Sequence, residues 1–64
     1  MAQPTHKSLI EKFALVTYPG TNDQRALEVV YDHNKAATLK KYRDQNPDLP
    51  LGWMSTVTRE VTPA

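Results

Sequence analysis

Few side chains in this 64-residue chain could do chemistry, and they are scattered. The two histidines, His6 and His33, have no other ligand at a productive spacing, whereas a metal needs three or four donors that converge. His33 reads instead as an exposed residue at a helix start, and no metal or cofactor is expected. Glu11, Glu28 and Glu60 fall on strands or strand ends, where pairing with lysine or arginine across a sheet is their ordinary role. Ser8 and Ser55 have no general base nearby in the pattern. Gly20 and Gly52 are the only glycines, too few for a phosphate-cradling loop, and cysteine is absent. This inventory points away from catalysis.

Basic residues give a second set of candidates. Lys35, Lys40, Lys41 and Arg43 form the one local concentration of charge in a chain whose net charge is +1. Their ordinary reading is a solvated helix face; their functional reading is contact with phosphates or with an acidic protein patch. Asp44 and Asp48 follow directly and dilute the field. Arg59 lies on the expected last strand, placed to pair across the sheet or to meet a partner carboxylate with two parallel hydrogen bonds. Tyr18, against Pro19-Gly20, is the best candidate for an exposed aromatic, whereas Trp53 reads as a core plug.

The elements that must carry these residues follow from propensity and punctuation. Residues 1–8 read as a mobile lead-in and residues 9–62 as one small domain. Phe13-Ala14-Leu15-Val16-Thr17-Tyr18 and Arg25-Ala26-Leu27-Glu28-Val29-Val30-Tyr31 have strand character and flank the turn signal Pro19-Gly20-Thr21-Asn22-Asp23, which predicts a hairpin. Asp32 or Asn34 can cap a helix over Lys35–Arg43, with Ala36, Leu39 and Tyr42 on its inner face. Asn46-Pro47 stops that helix. The leucines of Asp48-Leu49-Pro50-Leu51-Gly52 fold back on the core, Trp53–Val61 makes a third strand, and Thr62-Pro63-Ala64 frays.

The expected fold is therefore α+β, a three-stranded antiparallel β-β-α-β sheet of order 2-1-3 with the helix on one face. Its core draws on Phe13, Leu15, Leu27, Val29, Leu39, Tyr42, Trp53 and Val57. One helix covers one face only. The other, with Ala14, Val16, Glu28, Val30, Met54, Thr56 and Thr58, is left for water or a partner. The polar start and the lack of a long apolar run imply a cytoplasmic protein with no membrane contact.

Lys12-Phe13-Ala14 opening a strand, a hairpin, a helix, and Gly52-Trp53 leading a Thr/Val/Arg strand near a proline-containing end resemble a family of very small early proteins of podoviruses. The likeness covers roughly residues 12–64. Members of that family inhibit the bacterial host's RNA polymerase by docking on the jaw of its largest subunit, with arginines of the last strand and an acidic surface. The resemblance implies a monomeric inhibitor in the host cytoplasm, with Arg59 matching one of those arginines. Val57 stands at the position of the other, and the helix here is basic where the family's is acidic. Contact residues expected for a larger protein partner are thus Arg59, Lys40, Lys41, Arg43 and Tyr18. The second reading is a nucleic-acid-binding module that uses the basic helix face.

Overall fold

In the computed structural model, residues 11–64 are described. The expected lead-in 1–8, with His6 and Ser8, lies outside them. Strand β1 (Lys12–Thr17) and strand β2 (Arg25–Tyr31) form the hairpin, with one 3-10 turn (Asp32–Asn34) leading into helix α1 (Lys35–Gln45). Strands β3 (Leu51–Ser55) and β4 (Val61–Pro63) complete an antiparallel sheet of order β2-β1-β3-β4. The α+β class and the inner order 2-1-3 are as the sequence predicts. The strand count is not.

The run Trp53–Val61 breaks into a hairpin because backbone and hydroxyl groups close a turn inside it. Arg59 adopts a left-handed φ of 66° and its N–H donates to the Ser55 carbonyl at 2.9 Å. The Ser55 N–H then reaches the Glu60 carbonyl at 3.0 Å, and the Ser55 hydroxyl accepts the N–H groups of Val57 and Thr58, each at 3.1 Å. A four-residue loop ending in a left-handed residue is a standard hairpin solution. Thr62-Pro63-Ala64 does not fray. Trp53 opposes Thr62, Gly52 opposes Pro63, and the Ala64 N–H donates to Leu51 O at 3.0 Å.

Register decides which residues are inside. Phe13 opposes Val30 and Leu15 opposes Glu28, but Val16 opposes Ala26, so Leu27 is the extra residue of a bulge. Val30, Glu28, Trp53 and Ser55 therefore share the side of Phe13 and Leu15, which α1 covers. The core is Leu15, Val30, Leu51 and Trp53, with Phe13, Leu39, Tyr42 and Leu49 packed against it. Leu27 and Val29 were expected there and lie on the opposite side; Val57 was expected there and is exposed in the β3–β4 turn. Both leucines of the connector do fold back, and Leu51 belongs to β3 itself.

Helix α1 turns a different stripe inward from the one its alanine suggested. Thr38 is buried, Lys35, Leu39 and Tyr42 are half-buried, and Ala36 is exposed. Spacings of three and four keep this set on one face. Asn34 makes no side-chain cap bond; the 3-10 turn before the helix supplies the entry instead. Asn46 ends it, its N–H donating to Tyr42 O at 2.9 Å. No helix among the described residues is long and apolar enough to cross a membrane.

Candidate interaction site

The sheet face opposite α1 is built from β1, whose Ala14 and Val16 point away from the helix, and from its neighbours in register. Val29 opposes Ala14 on one side and Met54 on the other; Val16 sits between Ala26 and Gly52. Ala14 and Val16 are nonetheless buried. Part of their cover is the β1–β2 turn, which curls back over this face. Gln24 accepts the Gly20 N–H at 2.7 Å through its side-chain oxygen, and its Nε2 reaches Met54 Sδ at 4.0 Å. Pro19 lies over Gly52: a methyl group placed on that glycine would come within 2.7 Å of Pro19 Cβ and 2.9 Å of the Thr62 carbonyl. Only glycine fits there.

The turn shields the end of the face near Gly52 and leaves the β2 side open. Leu27, Val29 and Tyr31, at alternate positions on the outermost strand, are 39%, 52% and 43% exposed. Half-buried Met54 and Val61, opposite each other in β3 and β4, extend the apolar surface across the sheet. At its corner the Lys12 ammonium lies 5.0 Å from the Tyr31 ring centroid, and His33 stacks on the same tyrosine at 5.9 Å. Among the described residues strand β2 is also an edge, with one row of backbone donors and acceptors unpaired in the sheet. The other edge, β4, has three residues and ends in a proline that has no N–H to offer.

The expected contact residues are not brought together. Lys40 and Lys41 are on α1, beyond the covered face, and each has a carboxylate of its own: Asp44 at 2.9 Å and Glu28 at 3.2 Å. Lys35 lies 3.9 Å from Asp32. Of the helix's basic cluster, Arg43 alone has no ion pair among the described residues. Tyr18 and Arg59 stand at opposite ends of the sheet, because Tyr18 follows the last residue of β1 while Ser55, at the base of the Arg59 turn, pairs with Phe13. Roughly 15 Å of strand separates the two ends. Both occupy left-handed backbone, Tyr18 with φ 49°, where Tyr18 begins the β1–β2 turn and Arg59 closes the β3–β4 turn. Arg59 is thus a turn residue, two positions before β4, and not the strand residue the sequence predicts.

Glu28 is the exception among the carboxylates, since it ties the helix to the sheet. It accepts from the Tyr42 hydroxyl at 3.0 Å and from Lys41. The Tyr42 bond, more than the nearby lysine, holds the Glu28 carboxyl below its ordinary range, and the same bond pushes the Tyr42 hydroxyl up. Compared with known proteins, the chain matches no family model, no curated protein and no solved structure.

Proposed function

We propose that this chain is a non-enzymatic interaction module that docks on a larger host protein with the sheet face opposite α1. The observation that carries the reading is the Leu27, Val29 and Tyr31 stripe, three large apolar side chains exposed on the side of the outer strand that the helix does not cover. Isolated exposed apolar residues are ordinary; a contiguous row on an unpaired edge is a docking feature. The paired state of Lys35, Lys40 and Lys41 disfavours the alternative, in which the helix neutralises phosphates.

The resemblance to podoviral inhibitors supplies the target, the largest subunit of bacterial RNA polymerase in the host cytoplasm, bound by a monomer of this chain. In this reading Arg59 adds a peripheral contact from its turn and the apolar stripe supplies the centre. The test is capture of purified polymerase core by immobilised protein. Val29→Glu is expected to abolish capture and Arg59→Glu to weaken it, both with unchanged circular dichroism. Full capture by Val29→Glu removes the open face from the interface, whereas no capture by the native chain removes the polymerase as the target.

A further inference from the structure

On the opposite side of the sheet, between the start of β1, the first turn of α1 and the β3–β4 turn, lies a recess of about 250 Å³. Its floor is aromatic, formed by half-buried Phe13 and by Trp53, which is 8% exposed. A cation already rests on that floor. The Lys35 ammonium is 3.9 Å from the Phe13 ring centroid and 5.3 Å from that of Trp53. Two carboxylates, Glu11 and Glu60, line the same recess, and neither forms an ion pair among the described residues. Glu11 is held in place by the Ser55 hydroxyl, whose oxygen also accepts the turn's two N–H groups. Lys35 has settled for Asp32 at the outer limit of an ion pair.

Aromatic faces attract cations through their quadrupole, and the attraction rises as water is excluded. Here ring faces, a carboxylate anchored by Ser55 and a second, exposed carboxylate border one cavity, while the resident ammonium engages the rings and neither glutamate. A planar cation does both: a guanidinium stacks flat on aromatic rings while its edge donates paired hydrogen bonds to carboxylates. We propose that this recess is a binding site for a guanidinium group, which displaces Lys35 from the Phe13 and Trp53 rings and pairs with Glu11 and Glu60. Lys35 acts as a tethered competitor that keeps the site closed until a stronger cation arrives. The site is independent of the open sheet face and stands whether or not that face docks on a partner.

Trp53 is the only tryptophan, so its emission and its indole N–H resonance report on the floor of the recess directly. The full chain is titrated with N-acetyl-arginine methylamide, with the neutral citrulline counterpart as control. Saturable change is expected with the arginine probe alone. Glu60→Gln and Glu11→Gln each weaken it roughly tenfold through lost charge-assisted bonds. Lys35→Met, which removes the competitor, tightens it severalfold, on the order of one cation–aromatic contact. Equal tightness for an extended peptide with a central arginine assigns the cation to a protein partner; binding restricted to the small probe assigns it to a free guanidino compound. The proposal is overturned by no saturable response in both the native chain and Lys35→Met, by an equal response to citrulline, or by unchanged affinity in the two glutamine variants.

Discussion

The two faces of this sheet are held by different means. The helix-covered face is a hydrophobic core in which Leu15 is fully buried and Val30, Leu51 and Trp53 close around it. Across the sheet Ala14 and Val16 are as deeply buried, yet among the described residues no second layer of secondary structure lies over them. Their cover includes a turn, one glutamine side chain and a proline stacked on a glycine. One face has redundancy and the other depends on a few contacts, which is why the first gives stability and the second leaves a surface unclaimed. In a domain of this size, whose total stability is a few kcal/mol, the distinction decides which substitutions unfold it.

The sharpest way to break the comparison is to remove one side chain from each face. Leu15→Ala leaves a cavity beneath α1 and is expected to cost about 3 kcal/mol, enough to unfold much of the population. Val29→Ala, on a half-exposed side chain, is expected to cost under about 1 kcal/mol. Urea titrations followed by far-ultraviolet circular dichroism decide it; equal costs would mean that the open face is packed in solution.

Gly52→Ala tests the turn that covers the open face. The added methyl meets Pro19 and the Thr62 carbonyl, so either the turn lifts or β4 shifts. A loss of roughly 2 kcal/mol is expected from overpacking. New solvent exchange at the amides of β4 and the β1–β2 turn should accompany it, with α1 unaffected. Were the amides of α1 to exchange instead, the two faces would be mechanically one unit.

How much of this was legible in the sequence depended on whether each turn carried turn chemistry. Pro19-Gly20-Thr21-Asn22-Asp23 announces itself, and the hairpin, the helix and its end at Asn46 are where propensity puts them. The second hairpin was hidden because arginine, not glycine or asparagine, occupies its left-handed position. The surviving signal was Ser55, Thr56 and Thr58, hydroxyl residues able to bond the nearby backbone, as Ser55 does. Alternation in β2 was readable, but its phase was not. The bulge at Leu27 sends both Leu27 and Val29 outward and brings Glu28 to the helix, where a lone carboxylate would not be placed without seeing Tyr42. The pairing of the basic residues was legible in part for a related reason, since the carboxylates beside Lys35 and Lys40 are near in sequence while Glu28, which pairs with Lys41, comes from another element.

Arg59→Gly follows from that hidden turn. A left-handed conformation costs an L-residue about 1 kcal/mol or more, and glycine escapes it. The variant is expected to gain up to about 1 kcal/mol in the same urea titration, less the larger unfolded-state entropy of glycine. A loss would show that the arginine side chain makes a contact that outweighs backbone strain.

The smallest effect concerns a polar tie between helix and sheet, the bond from Tyr42 to Glu28. Glu28 has a lowered pKa in the folded state, so its bond to Tyr42 adds stability that is present above the ordinary carboxylate value of 4.5 and lost as pH falls through the folded value. Tyr42 has a raised pKa, so the same bond persists below 10.0 and is lost as pH climbs through the tyrosine's folded value. Tyr42→Phe keeps the ring against the core and deletes only the hydroxyl. Its stability should therefore fall slightly at neutral pH and show a flatter dependence in both the acid and the alkaline window. Among the described residues the open face has no carboxylate–hydroxyl bond of this kind, so Val29→Ala should keep the native pH profile unchanged. If Tyr42→Phe keeps it as well, the hydroxyl adds nothing to the pH dependence, and the polar link from Glu28 to the helix rests on Lys41.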